Sequence, residues 1–244
     1  MPNWPVYAGH FSARLVPVTT TPLSPTPRTT VGRGRNRMVE DRAALHELLA
    51  DALVAHLGVT VTRDGHSHPL VLPTAYAVDL DGPDAGGTLY LHGSVAAGWL
   101  RAATDATVCV TITELDGLVT ARSAFHHSMN YRSAVVIGTA RAVDDPAECR
   151  HALDLIVDHM VPGRSATLRA STRKELAATA VLAVPLLEAS MKARAGGPVD
   201  DPEDVAAGIW GGHIPVRRVV GAAVSDIDAD VPVPADVRAR AAAL

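Results

Sequence analysis

The alternation of hydrophobic and polar residues along the chain predicts a protein built mainly of β-strands with a few helices between them. Helical spacing or helix-start signals occur at residues 41–57, 94–104, 146–161 and 171–178. Alternating or continuous apolar runs predict strands at residues 57–62, 68–80, 88–92, 107–113, 118–124, 131–143, 180–192 and 213–220. Because the connections are short, most pairings should be antiparallel, which favours a closed or nearly closed β-barrel over a sandwich, although the pattern allows both.

Local signals refine this prediction at four positions. The Leu-Asp-Gly sequence at residues 115–117 predicts a hairpin turn between two of the strands. Gly138 predicts a bulge within a long strand. Pro73 removes a backbone donor and therefore predicts an edge strand or a bulge. Ser94 is predicted to cap the helix that follows it.

The two ends of the chain differ in composition from the middle. Residues 1–30 contain six prolines and six threonines without a sustained period, which is typical of irregular chain. We therefore predict a largely irregular leader over residues 1–38, a folded domain over 39–222 and a C-terminal tail over 223–244. The arginines at positions 28, 33, 35 and 37 are interpreted as a solvated basic flank, with a phosphate or nucleic-acid role as the alternative.

Composition and charge narrow the class of protein. A chain of 244 residues with 48% hydrophobic and 20% charged residues is globular, and its net charge of −4 excludes a bulk polycationic nucleic-acid binder. No apolar run reaches the ~18 residues that a membrane-spanning helix needs. Cys109 and Cys149 are too few for a disulfide framework. We expect a cytoplasmic protein whose partner is a small molecule, and neither a nucleic acid nor a membrane.

Common catalytic and metal-binding motifs are missing from the sequence. It contains no glycine-rich nucleotide loop, no Gly-x-Ser-x-Gly and no His-Glu-x-x-His. His66 and His68, and the adjacent His126 and His127, do not come with the further ligands that a metal site requires. The sequence therefore predicts no metal centre.

Three other segments combine strand ends with polar residues. In the first, Pro73 interrupts strand pairing and frees backbone groups for a planar ligand. In the second, a strand ends at Gly93 and Ser94, where a helix start would form an anion pocket or simply a capped helix. In the third, Arg132 enters a long strand and could form a surface ion pair or bind a phosphate.

These segments together resemble a known family. The sequences VLPTAYA, LYLHGS and FHHSMNYRSAVVIGTARAV, in this order, are similar to those of the FMN-binding split β-barrel proteins, in the pyridoxamine 5′-phosphate oxidase-related branch that includes nitroimidazole reductase-like flavoproteins. The resemblance covers roughly residues 39–220. It implies a mainly β (α+β) split barrel of six to seven mostly antiparallel strands with flanking helices. It also implies a homodimer whose FMN sites lie between the subunits.

The resemblance also implies a set of cofactor-binding residues. The flavin ring would lie along Leu72, Pro73, Thr74 and Ala75. The ribityl chain and phosphate would be held by His92, Gly93 and Ser94. The pocket would be completed by Asn130, Tyr131, Arg132 and Ser133, with Arg132 as the phosphate partner.

The chain departs from the family pattern at the phosphate helix. Pyridoxamine phosphate oxidases carry a Ser-Arg-Lys cluster there, whereas this chain has Ser-Val-Ala-Ala-Gly-Trp at residues 94–99, so vitamin B6 oxidation is disfavoured. Two function classes follow. One is a flavin-dependent oxidoreductase acting on a small molecule. The other is a flavin or haem carrier without turnover, for which His126 and His127 are candidate haem ligands.

Overall fold

Two antiparallel sheets organise the chain, for which a computed structural model describes residues 22–24 and 26–243. The strands are β1 (Met38–Val39), β2 (Ala55–Arg63), β3 (His66–Thr74), β4 (Tyr76–Asp79), β5 (Thr88–Ser94), β6 (Thr107–Thr120), β7 (Ser128–Thr139), β8 (Arg141–Ala142), β9 (Thr179–Pro185), β10 (Ala189–Arg194) and β11 (Gly212–Pro215). The helices are α1 (Arg42–Asp51), α2 (Gly98–Ala103), α3 (Pro146–Met160), α4 (Arg173–Ala178), α5 (Pro202–Ala206) and α6 (Ala235–Ala243).

The larger sheet has the strand order β1-β10-β7-β6-β2-β3, and β11 pairs with the far half of β6. The smaller sheet has the order β4-β5-β9-β8. Within the described residues, the strand pairs of both sheets are antiparallel. The predicted fold class, a mainly β split barrel with flanking helices, is confirmed.

The main core fills the space between the two sheets. It is made of aliphatic side chains that alternate along the strands with more exposed ones, among them Leu57, Leu91, Val110 and Val136. A second, smaller core lies between the small sheet and α3, around Tyr90 and Ile156. Because α3 has an apolar stripe on one face, it covers the outside of the small sheet while its other face meets water.

The first helix is shorter than its apolar pattern predicted. Asp41 caps it by accepting a hydrogen bond from the Ala43 N–H at 2.9 Å, but the helix ends at Asp51 and residues 55–63 form β2. The buried Tyr76 hydroxyl lies 2.7 Å from the Leu49 carbonyl oxygen and 2.9 Å from that of Ala52. This hydroxyl provides a donor for the carbonyls that a helix end leaves unpaired, so tertiary contact sets the boundary.

The predicted hairpin at residues 115–117 is wrong. Residues 107–120 form one continuous strand, β6, with a register shift between Leu115 and Gly117. Strand β7 pairs with β6 on both sides of that shift, so the extra residue is absorbed as a bulge instead of reversing the chain. The long neighbouring strand decides between two outcomes that the local sequence permits.

Three further strand predictions are settled by neighbours. Gly138 is paired with Val108 and is not a bulge; a Cβ there would lie 3.0 Å from Val184 Cγ1, so close packing explains the glycine. The predicted strand 180–192 is two strands, β9 and β10, one in each sheet. Pro73 does lie in an edge strand, as predicted, because β3 ends the large sheet.

Both ends of the described chain contact the domain. The Ser24 N–H donates to the Ala189 carbonyl at 2.7 Å, and Leu23 is buried. In α6, Arg240 donates to the Met160 carbonyl at 2.7 Å. The leader predicted over residues 1–38 lies outside the described residues at positions 1–21 and 25. Among the described helices, none has the length and apolar character needed to cross a membrane.

Candidate functional site

The first two predicted segments lie at one end of the small sheet. The chain leaves the large sheet at Thr74 and enters the small one at Tyr76, so Ala75 is the crossing point. Tyr76 stands opposite Leu91 in the β4–β5 register. In an antiparallel pair, the residue before Tyr76 and the residue after Leu91 lie at the same end. The structure therefore brings Ala75, the last residue of the segment 72–75, next to His92.

His92 supplies an uncommitted polar atom at this place. Its Nδ1 is buried and has no hydrogen-bond partner among the described residues. Burial lowers the pKa of the imidazole, which favours its neutral form. A buried ring nitrogen without a partner is costly unless something completes it, so His92 suits a bound molecule with a polar edge.

The prediction that Ser94 caps a helix is wrong. Ser94 is the last residue of β5, opposite Thr179, and α2 begins only at Gly98 with Ala97 at its cap. The Ser94 hydroxyl accepts a hydrogen bond from the Ala96 N–H at 3.2 Å. The helix-start anion pocket predicted from the sequence is therefore not formed at this residue.

Gly93 is explained by packing. A Cβ at this position would lie 2.9 Å from both Leu100 Cδ1 and Trp99 Cζ2. Such a distance is shorter than an ordinary contact, so the absence of a side chain lets α2 lie against β5. The role of Gly93 in holding a cofactor stays a prediction.

Asn130, in the third segment, is a buried residue with both ends of its amide engaged. Its Nδ2 donates to the Gly196 carbonyl at 3.1 Å, and its Oδ1 accepts a hydrogen bond from Arg194. These bonds tie β7 to the chain that follows β10. In this structure Asn130 therefore holds a loop, and its predicted contact with a cofactor stays untested.

Arg132 is engaged by two carboxylates. Its Nε and Nη2 each lie 3.1 Å from an oxygen of Asp116, and its Nη1 lies 3.0 Å from Asp51 Oδ2. The forked contact to Asp116 uses the geometry that would otherwise grip a phosphate. Arg132 is thus a surface ion-pair residue here, the alternative already open from its sequence position, and its role as phosphate partner stays a prediction.

The Asp116 and Asp51 pairs extend to a second arginine. Arg218 lies 3.1 Å from Asp51 Oδ1 and 3.0 Å from Glu114 Oε1. We call Asp51, Glu114, Asp116, Arg132 and Arg218 the paired cluster. It lies at one end of the barrel. Arg132 projects from the same face of the large sheet as the buried core residues Ala134 and Val136, which follow it in β7.

Tyr131 and Ser133 project from the opposite face of the large sheet. Ala134 and Val136 are buried, and side chains alternate along a strand, so the odd-numbered residues of β7 point outward. The Ser133 hydroxyl lies 3.1 Å from that of Thr113 on the neighbouring strand. Strands β2 and β6 separate β7 from β3, which places the two segments roughly 14 Å apart across the sheet. One chain therefore does not gather all three segments into one pocket.

A pocket lies where the leader meets this outer face. It has a volume of about 390 Å³ and is lined by Arg33, Gly34, Asn36, Arg37, Tyr131 and Lys192. We call it the basic pocket. The sequence predicts a solvated flank for the arginines of this segment. The prediction misses the pocket because Arg33 and Arg37 reach Lys192 and Tyr131 only through the pairing of β1 with β10. The run of arginines was the available signal.

The adjacent histidines 126 and 127 have different surroundings. His126 Nε2 lies 3.3 Å from Asp201 Oδ2. Potential ligand atoms of His126, Asp201 and Asp204 all lie within 4.8 Å of one another. His127 instead places Nδ1 2.9 Å from the Ser123 carbonyl oxygen. If Nδ1 carries the proton, this bond leaves the Nε2 lone pair of His127 available.

Comparison with known proteins places the fold in a family. Residues 41–193 match the family model described as pyridoxamine 5′-phosphate oxidase. The flavocytochrome Anf3 from Azotobacter vinelandii is 36% identical over 88% of this chain and 97% of its own, with a TM-score of 0.79. The FAD and heme binding protein from Mycobacterium smegmatis is 40% identical over 84% of this chain and 97% of its own, with a TM-score of 0.74. No curated protein matches the chain.

The matched segment covers more than half of the chain. The sequence identities of 36% and 40% to the two solved structures are high enough to establish a common family. The chain therefore belongs to the pyridoxamine 5′-phosphate oxidase family. The resemblance inferred from the sequence motifs is confirmed.

Proposed function

We propose that the protein binds a flavin nucleotide and uses it to oxidise or reduce a small molecule. The observation that carries this proposal is the junction of the segment 72–75 with His92, where a buried ring nitrogen has no hydrogen-bond partner among the described residues. Support also comes from the family and from two relatives described as a flavocytochrome and as an FAD and heme binding protein. A bound flavin would supply the redox chemistry, and the chain would supply orientation and electrostatics.

The residues at this junction suit the ring of a flavin. Strand β3 is an edge strand, so part of its backbone polar groups is not used by a neighbouring strand. These groups can meet the polar edge of a ring, while Leu72 and Ala75 offer apolar contact. His92, whose pKa is lowered by burial, can donate or accept a hydrogen bond there in its neutral form.

The cofactor itself provides the first test. Purified protein should show flavin absorbance, and chromatography of the released cofactor separates FMN, the nucleotide predicted from the sequence, from FAD. Replacing His92 with Phe should weaken flavin binding. The matched change His151→Phe should not, because it removes only the 2.8 Å contact of α3 with Asp79, at the end of β4 away from the junction. Protein that neither retains flavin nor binds it on titration would overturn the proposal.

We infer in addition that the site is shared by two copies of the chain. The segments around β3 and β7 lie apart on one sheet face, and a second copy seated on that face could bring them together. Val135 and Ile137 project outward with Cys109 opposite Ile137, forming an apolar strip that a partner would cover.

Light scattering tests the homodimer. The expected mass is twice the chain mass of 25.5 kDa. Val135→Lys should shift the protein toward the monomer and lower its flavin content. Val219→Lys, the same change at a residue that is 85% exposed elsewhere, should do neither. A monomeric wild type that binds flavin fully would contradict the shared site.

A specific observation supports haem as a second cofactor. His127 has a free Nε2 whose ring is oriented by its bond to the Ser123 carbonyl, an arrangement common for metal-ligating histidines. An apolar row begins two residues after His127 and crosses three strands. It is formed by Met129, Leu118 and Ile214, whose exposures are 53%, 43% and 53%. Such a row suits the face of a porphyrin.

The neighbouring histidine provides the control for this second cofactor. Reconstitution with haem should give a Soret band that is lost in His127→Ala. The band should persist in His126→Ala, because His126 is engaged by Asp201. Equal retention in both variants would exclude His127 as the ligand.

A further inference from the structure

We propose that the basic pocket binds the phosphates of a nucleotide through Arg33, Arg37 and Lys192, which are not among the residues predicted to hold the flavin. Tyr131 is the one residue common to both sets, and in this proposal it lies against the base of the nucleotide, at a site separate from that of the flavin. The pocket is assembled by strand pairing. Strand β1 pairs with β10, with Met38 opposite Lys192 and Val39 opposite Met191. This pairing lays the preceding turn, residues 33–37, against β10 and β7. Lys192 Nζ donates to the Arg33 carbonyl at 3.0 Å and holds the turn in place.

The shape of the turn directs its side chains to the pocket. Gly34 has a φ of +70°, the left-handed conformation that favours glycine. A 3₁₀ turn, Arg35–Arg37, follows directly. Arg33 and Arg37 line the pocket from the two sides of this bend, while Arg35 lies in the same turn without lining it.

The cations of the pocket are not neutralised by the described part of the chain. Within residues 22–24 and 26–243, no carboxylate forms an ion pair with Arg33, Arg37 or Lys192. Further positive charge lies close by, because Arg194 stands opposite Tyr131 in the β10–β7 register. Burial, and then the charge of Arg37, lower the pKa of this guanidinium. Three unpaired cations around one concavity, in a chain of net charge −4, make a local field that attracts anions.

The remaining lining identifies the kind of anion. Tyr131 presents an aromatic ring, and Asn36 an amide that can donate and accept. Nucleobases stack on aromatic side chains, and guanidinium groups bind phosphate oxygens in a fork. A volume of about 390 Å³ is within the range of small-molecule sites. A nucleoside diphosphate matches all of these features.

Calorimetry on the purified, flavin-loaded protein tests the proposal with ADP as the probe. ADP should bind, and pyrophosphate should bind more weakly because it lacks a base. Arg37→Ala and Lys192→Met should each weaken ADP binding about tenfold, the loss expected for one charge-assisted contact. Arg35→Ala is the matched control, since it removes the same charge from the same turn without altering the lining. Flavin absorbance and the unfolding midpoint, measured in parallel, report that each variant is folded.

The outcomes are distinguishable. ADP binding that falls in the two lining variants, with flavin content and the Arg35→Ala affinity unchanged, supports the proposal. Absence of ADP binding by the wild type overturns it. Equal losses in all three variants would also overturn it, because only the general field would then matter. ADP that binds flavin-free protein and is displaced by flavin would assign the pocket to the flavin site, which rejects a separate site and leaves the proposed function intact.

Discussion

Two groups of cationic side chains on opposite faces of the large sheet differ in what neutralises them. In the paired cluster, Arg132 and Arg218 are held by Asp51, Glu114 and Asp116 at distances of 3.0–3.1 Å. In the basic pocket, Arg33, Arg37 and Lys192 have no acidic partner among the described residues. The two groups lie only a few residues apart on the paired strands β7 and β10. The sheet nevertheless separates them, because Arg132 and Lys192 project from its opposite faces.

The comparison shows that an arginine next to a predicted binding motif is not evidence of ligand binding by itself. Arg132 stood within the most family-specific motif, but its guanidinium is already paired. Arg33 and Arg37 stood in a segment of low information, but they line a pocket beside the aromatic ring of Tyr131, whereas Arg28 of the same segment is paired with Glu188. Whether a cation is paired within the fold or left available to a ligand depends on the carboxylates within reach, and that set depends on the tertiary structure.

The largest expected effect on folding comes from breaking the paired cluster. Arg132→Ala leaves Asp116 without its forked partner and should lower the free energy of unfolding by about 1–2 kcal/mol, a value reduced by partial exposure. Arg37→Ala in the basic pocket should change it by less than about 0.5 kcal/mol. Urea denaturation of both variants measures the difference. Equal stabilities would show that the carboxylates contribute nothing through Arg132.

A smaller loss of stability should distinguish Asp145, which caps a helix, from Ser94, for which the sequence predicts a cap that the structure does not form. Asp145 accepts a hydrogen bond from the Glu148 N–H at 2.8 Å at the start of α3, so Asp145→Ala should cost about 1 kcal/mol. Ser94 caps no helix, and Ser94→Ala should change stability by less than about 0.5 kcal/mol. Thermal unfolding of the two variants gives the comparison. A loss at Ser94 as large as at Asp145 would contradict the strand assignment.

The smallest expected effect is a loss of stability at low pH, which arises where a carboxylate is paired with an arginine. Burial acts to raise the pKa of Asp84, but its hydrogen bonds from Arg141 and Thr88 outweigh this and lower the pKa below the ordinary value of 3.8. Because the folded pKa is the lower one, the pair stabilises the fold above about pH 4 and this stabilisation is lost as the pH falls through the folded pKa.

Unfolding midpoints between pH 5 and pH 2.5 test that dependence. Asp84→Asn should flatten the decline. Asp230→Asn, at an exposed residue that forms no ion pair within residues 22–24 and 26–243, should leave it unchanged. A decline of the same steepness in Asp84→Asn would assign the acid sensitivity to other carboxylates.

The sequence by itself determined the class of fold and the family. Period-two alternation predicted most strands, the spacing of apolar residues in α3 predicted that helix closely, and the motifs around Pro73 and Tyr131 identified the family. These features are local, because side-chain alternation and capping depend on neighbours within a few residues.

Tertiary structure alone decided what each polar group does. The Leu-Asp-Gly segment became a bulge because β7 pairs on both sides of it, and α1 ended early where Tyr76 caps its last carbonyls. Arg132 became an ion-pair residue, and Arg33 and Arg37 became pocket residues, because strand order brought carboxylates to Arg132 and, within the described residues, not to the other two. Such pairings join residues far apart in the chain, for example Arg132 with Asp51 and Met38 with Lys192. No local sequence pattern predicts these long-range pairings, because the free energy that selects them comes from the packing of the whole sheet.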